Sequence, residues 1–119
     1  MTVAFPCRIE LPWPPKELSP NARPHRMVLA KRKREYRADC AWLAKAACGK
    51  LNAQRAELRF TFRPPDRKGR DKDNMIASIK AGIDGLADAL GVDDRRFEMD
   101  FEIGEPVKNG AVIVEVTPA

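Results

Sequence analysis

The stretch Arg70-Asp71-Lys72-Asp73-Asn74 places two carboxylates two residues apart, just ahead of a segment with helical periodicity. In an extended backbone, residues two apart point to the same side, so Asp71 and Asp73 converge on one point. Hard divalent cations such as Mg²⁺ take carboxylate oxygens and few protein ligands. Phosphodiester hydrolysis uses such ions to activate water and stabilise the leaving oxygen. The N-terminus of the following helix favours an anion such as phosphate. Arg67, Lys68 and Arg70 set positive charge beside the acids, as a site for a phosphate backbone requires. A plainer reading stands beside this one: Asp73 is an ordinary N-cap residue, stabilising whatever the function, and the bases belong to a solvated loop.

The elements that position this stretch follow from periodicity. Residues 3–11 alternate loosely and end in Pro12-Trp13-Pro14-Pro15; Pro6 makes them an edge strand or one that begins after it. Residues 16–26 read as a loop. A helix runs from Lys31 to about Gly49, with Tyr36, Cys40, Leu43 and Ala47 at helical spacing. Residues 56–63 form a half-buried strand with Leu58, Phe60 and Phe62 on one face, and residues 63–74 a charged loop. A second helix runs in one piece from Asn74 to Leu90, its stripe of Ile76, Ile79, Ile83, Leu86 and Leu90 stopped by Gly91. Residues 96–103 alternate with Phe97, Met99, Phe101 and Ile103 inward, and residues 111–117 close the chain as the second strand of a hairpin. The order β-α-β-α-β-β predicts an α+β fold: a mixed sheet of about four strands with two helices packed on one face, in a single domain over residues 1–119.

Composition narrows the function classes. The 119 residues carry a net charge of +5. Residues 1–70 hold 17 Lys/Arg and 6 Asp/Glu, net +11, while residues 71–119 hold 5 and 11, net −6. The basic half suggests a polyanion partner. No stretch approaches the roughly 18 apolar residues of a membrane span, so no membrane partner is expected, and no secretory leader is evident at the N-terminus. Three cysteines without a CxxC pair argue against a disulfide framework and a structural zinc site. Cys7, Cys40 and Cys48 read as small buried hydrophobes and the compartment as a reducing cytoplasm.

With these features in place, the chain resembles the RusA-type Holliday junction resolvases, endonucleases often carried by prophages. The residues that carry the resemblance are Leu11-Pro12-Trp13-Pro14-Pro15, Arg70-Asp71-Lys72-Asp73-Asn74, Lys80-Ala81-Gly82-Ile83-Asp84-Gly85-Leu86 and Asp93-Asp94. Their order and spacing match over nearly the whole chain. The resemblance implies a homodimeric, nucleoid-associated, Mg²⁺-dependent nuclease, with Mn²⁺ able to substitute, that cuts four-way or branched DNA during recombination and repair. Carried over by position, Asp71 and Asp73 match the paired metal-binding aspartates, Asn74 the asparagine after them, and Asp94 the third catalytic aspartate, with Asp93 its substitute. The family's lysine four residues after the second aspartate is Ala77 here. Lys80 is the nearest replacement, orienting phosphate or water; alternatively it snorkels and pairs with Asp84.

Helix length then poses a problem. A straight helix from Asn74 to Leu90 is about 25 Å long, so Asp71 and Asp73 lie at one end and Asp94 past the other. The helix ends early, or Asp100 or Glu102 completes the site, or Asp94 comes from a second subunit whose helix packs antiparallel about a two-fold axis. Elsewhere, Asn21, Arg23, Arg26 and His25 in the Pro-rich loop and Lys31, Arg32, Lys33 and Arg34, with Arg37, at the start of the first helix are candidate DNA contacts; the plainer reading makes His25 solvated and the basic run a solubilising helix start. Trp13 and Trp42 read as packing residues, with Trp13 at the core edge, and Met27, Met75 and Met99 as gap fillers. Two further functions stand beside the nuclease: a junction-binding protein with a degenerate site, and a prophage protein whose acidic loop caps a helix while its basic half binds a protein.

Overall fold

The computed structural model describes residues 4–119. Its elements are β1 (Cys7–Pro12), α1 (Arg26–Ala47), β2 (Ala56–Arg63), α2 (Lys72–Ser78), α3 (Lys80–Leu90), β3 (Phe97–Ile103) and β4 (Ala111–Pro118). Short 3₁₀ turns at Lys16–Leu18 and Asp94–Arg96 precede α1 and β3. The class is α+β, with one mixed four-stranded sheet in the order β1-β4-β2-β3. The first strand begins after Pro6 and lies at the sheet edge; Val3, placed in that strand by the sequence, lies outside the described residues.

Two expectations about the sheet are corrected. The last two strands do not form a hairpin: β4 lies between β1 and β2 and pairs antiparallel with both, while β3 runs parallel to β2. The reason is burial. Ala111 to Val114 are all buried, a near-continuous apolar run that suits a central strand. By contrast β3, Phe-Glu-Met-Asp-Phe-Glu-Ile, carries an acid at every second position and buries only Phe97. Charge along a strand is a device for an exposed edge. Met99 and Ile103 are therefore 37% and 49% exposed rather than inward.

Helices cover one sheet face. Ile9, Leu11, Leu58, Phe60, Phe62, Val112, Val114 and Val116 meet Tyr36, Cys40, Ala44, Ile79, Leu86 and Leu90 in one core cluster. The opposite face carries Arg8, Glu10, Glu57, Arg59 and Glu115 toward solvent. Helix α1 starts at Arg26, five residues before the expected Lys31, because His25 caps it: Nδ1 accepts the N–H of Met27 at 3.1 Å. Its buried stripe is Tyr36, Cys40 and Ala44. Trp42 and Met27, each 71% exposed, fall on the outer face, outside the core cluster, against expectation.

The expected single second helix is two. Ile79 joins α2 to α3 with φ −86° and ψ −5°, and the Ser78 hydroxyl donates to the carbonyl of Asn74 at 2.8 Å, a back-bond that bends helices. Thus three α-helices, not two, pack on the sheet. Where α3 crosses α1, a Cβ on Gly85 would collide with the Arg37 carbonyl, and one on Gly82 would stand 2.8 Å from the Tyr36 ring. The glycines of the Lys80–Leu86 motif serve this close crossing. Arg37 clamps it from outside, donating to both oxygens of Asp88 at 2.7 and 2.9 Å.

Cys7 and Cys48 form a disulfide that ties the start of β1 to the end of α1, leaving Cys40 as the buried free thiol. This corrects the reading of all three as unlinked hydrophobes. Fold topology brings the two Cα atoms to 5.9 Å across 41 residues of sequence, a proximity that residue spacing does not reveal.

Candidate functional site

The loops before α1 and α2 enclose a cleft of about 340 Å³, lined by Trp13, Pro14, Pro15, Lys16, Ser19, Asn21, Phe62, Gly69, Arg70, Asp71, Asn74, Met75 and Ser78. Two sequence motifs almost sixty residues apart, the Trp-Pro-Pro run and the Arg-Asp-Lys-Asp-Asn run, thus share one wall. Trp13 sets the floor. Its ring meets Phe62 edge-on at 6.3 Å and its Cβ lies close against Gly110, a glycine at φ +71° where a side chain would strike the indole. Tyr36 donates to the Pro12 carbonyl at 2.6 Å and fixes the chain entering the turn.

Arg70 hangs over this floor. Its guanidinium carbon is 5.7 Å from the Trp13 ring centre, and one terminal nitrogen donates to Asp66 Oδ1 at 2.7 Å. That charge-assisted bond, with a further bond from the Lys68 N–H, holds the Asp66 carboxyl below the usual carboxylate range. The arrangement fixes a cation at the cleft mouth while other guanidinium N–H groups stay available.

Asp71, not Asp73, caps α2: its Oδ1 accepts the Asp73 N–H at 2.9 Å. Lys72 and Asp73 are already helical, so the extended-backbone argument that aims both carboxylates to one side does not apply. Both are exposed, and Asp71 and Asn74, but not Asp73, line the cleft. Two carboxylates and an amide at a helix start are the hard oxygen donors that Mg²⁺ takes alongside water and substrate phosphate, so the donor types suit such an ion, although Asp73 lies outside the cleft that Asp71 and Asn74 line.

The other candidate residues lie elsewhere. Asp94 shares a shallow depression with Arg37, Asp84, Asp88 and Asp93 beyond the far end of α3. Asp93 caps the 3₁₀ turn and is clasped by Arg95 at 2.8 Å, which holds its carboxyl far below the usual range. Among the described residues no group of three or more His, Cys, Asp or Glu side chains converges on a metal position. One chain therefore does not assemble Asp71, Asp73 and Asp94. The bend at Ile79 does not bring them together, and Asp100 and Glu102 do not complete the set: Asp100 faces the open side of the sheet and Glu102 accepts from Thr61 at 3.0 Å. Lys80 lines a separate groove with Ala77, Asp84, Arg34 and Arg37, outside the Asp71 cleft, and forms no ion pair with Asp84.

Comparison with known proteins adds kinship. No family model matches the chain. A protein of Xylella fastidiosa (strain Temecula1 / ATCC 700964), named only as uncharacterized, is 41% identical over 119 residues, which span 92% of this chain and 74% of that protein. The chain belongs to that protein's family.

For this member of the family, the basic candidates divide by occupation. Arg67 pairs with Glu105 at 3.4 Å, and Arg32 with Glu35 at 2.8 Å and Glu17 at 3.7 Å. Arg23 donates to the carbonyls of Pro20 and Ala22. Arg26, Lys31, Lys33, Arg34 and Lys68 form no salt bridge among the described residues. Sequence reasoning placed Trp13 at the core edge but missed it as cleft floor, and passed over Lys16, Ser19 and Ser78 altogether. The run of prolines around Trp13 was the available signal, since such a turn holds an aromatic ring fixed at a surface.

Proposed function

We propose that this chain is a Mg²⁺-dependent, structure-selective DNA endonuclease of the RusA type that cuts four-way junctions in recombination and repair. The single observation that carries the reading is the shared cleft. The Trp13-Pro14-Pro15 and Arg70-Asp71-Asn74 segments, distant in sequence, meet at a helix start in a cleft that also holds the cations Lys16 and Arg70, the latter paired with Asp66. Asp71 and Asp73 would hold the metal, with Asp94 of the partner subunit completing the site in a homodimer. A bound Mg²⁺ supplies activation of water and stabilisation of the leaving oxygen. The chain's own groups do the rest. Arg70, fixed by Asp66 and Trp13, binds a phosphate oxygen; Asn74 orients its neighbour; the N-terminus of α2 favours the negative charge. Lys80, across the bend, contacts the flanking backbone.

One observation favours a second reading, a junction-binding protein that does not cut. Ala77 stands where the resemblance expects a lysine, and Lys80 opens into a different groove. A synthetic four-way junction decides between them. Cleavage in Mg²⁺ that disappears in Asp73→Asn supports the nuclease. Tight, metal-independent binding without cleavage in Mg²⁺ or Mn²⁺ supports the second reading.

A further inference from the structure

Helix α1 is the most strongly basic element of the chain. Helix α1 carries seven Lys or Arg against two Asp or Glu, net +5, which equals the formal net charge of the whole chain. Every other segment together sums to zero. Arg32 and Arg37 are held in ion pairs, but Lys31, Arg34 and Lys45 are exposed and unpaired among the described residues. At about 100° per residue, Lys31, Arg34, Ala38, Trp42 and Lys45 fall within about 80° of arc on the outer face.

Trp42 is the anomaly on that face. It is 71% exposed, belongs to no part of the core cluster and makes no aromatic or cation–π contact among the described residues. Helical side chains lean toward the N-terminus, which puts the small Ala38 beneath the indole, and at 71% exposure most of its surface is open. The acids nearby do not cover it: Glu35 is engaged by Arg32, and Asp39 borders the side away from Lys45 and Arg34. An aromatic face set among cations is the combination that binds single-stranded nucleic acid, bases stacking on the ring and phosphates meeting the cations. In a duplex the base faces are already covered. A second copy of α1 would bring like charge against like.

We propose that the outer face of α1 binds an unpaired DNA strand, with Trp42 stacking a base and Lys31, Arg34 and Lys45 meeting the phosphates around it. Lys31 to Lys45 spans about 21 Å of helix, or about six phosphates at the spacing of one stacked strand. The inference rests on the DNA-directed part of the proposed function and not on cleavage. It gives the protein a contact for an unpaired arm, separate from the cleft.

Indole fluorescence tests it with the intact chain. Titration with oligothymidylate quenches the wild-type signal. Trp42→Phe, in which Trp13 is the remaining indole, loses most of that quench yet still binds by anisotropy of a labelled strand. Trp42→Ala binds the strand about tenfold more weakly and a duplex of equal length within twofold of wild type. An unchanged affinity of Trp42→Ala for oligothymidylate, with circular dichroism showing it folded, overturns the proposal. So does tighter binding to oligouridylate, to polyglutamate or to anionic vesicles, or a quench that follows protein concentration without DNA. Quenching by oligothymidylate in a protein that leaves junctions uncut sinks the nuclease alone; junction cleavage without quenching sinks the strand track alone.

Discussion

Asp71 holds two positions in one argument, as helix cap and as metal ligand, and substitutions separate them. Asparagine caps a helix as well as aspartate, whereas alanine costs about 1 kcal/mol. Asp71→Asn is therefore expected to leave the denaturant midpoint near wild type while lowering Mg²⁺-dependent cleavage at least a hundredfold, and Asp71→Ala to lower both. Chemical denaturation beside a cleavage assay checks this; Asp71→Asn with wild-type cleavage leaves Asp71 as a cap alone. A second residue-scale prediction concerns the core. Burial pushes the Cys40 thiol from 9.0 up to about 12 and raises the Tyr36 hydroxyl as well. Folded values raised above unfolded ones mean stability fully present below about pH 9 and lost as pH climbs toward the folded values. Denaturant midpoints should hold to about pH 9 and fall beyond it, less steeply in Cys40→Ala; equal slopes contradict the assignment. The sequence showed which residue types gather near α2 but assigned the cap to Asp73, because the choice turns on where the chain leaves the extended region, two residues earlier.

At the scale of elements, the apolar periodicity placed each of the expected strands and helices, and the failures have physical causes. The stripe from Ile76 to Leu90 runs on through Ile79, so periodicity alone shows one helix; the break arises from backbone at Ile79 and the Ser78 back-bond. Strand neighbours were misassigned because chain proximity suggests a hairpin, whereas the buried Ala111–Val114 run demands the centre of the sheet and the acids of β3 demand an edge. The early start of α1 depended on a histidine cap, a weaker signal than Ser, Thr, Asp or Asn. Gly85 was quoted within a motif of suspected chemistry, yet its place is the α1–α3 crossing, where a Cβ meets the Arg37 backbone. Gly85→Ala is thus expected to cost about 1–3 kcal/mol through overpacking, measured by urea unfolding, despite the better helix propensity of alanine. A stabilised Gly85→Ala contradicts the close crossing.

For the whole molecule, the split between a basic first part and an acidic second part resolves into places. Of the +11 of residues 1–70, α1 carries +5 and the segments around it +6, while the acids divide among the start of α2, the depression beyond α3 and the open edge strand β3. None of the described sites in one chain gathers three carboxylates on a metal position, and under the proposed function a two-fold dimer would join Asp71 and Asp73 to the partner's Asp94. Mixed dimers test this: Asp73→Asn and Asp94→Asn chains, each inactive alone, are expected to regain cleavage when unfolded and refolded together. Persistent inactivity of the refolded mixture contradicts shared sites. The proposal as a whole stands most directly on a synthetic four-way junction incubated with the purified protein and Mg²⁺. Paired, symmetric incisions that vanish in Asp73→Asn are the predicted result; a junction left intact in both Mg²⁺ and Mn²⁺, or cut equally well by Asp73→Asn, contradicts it.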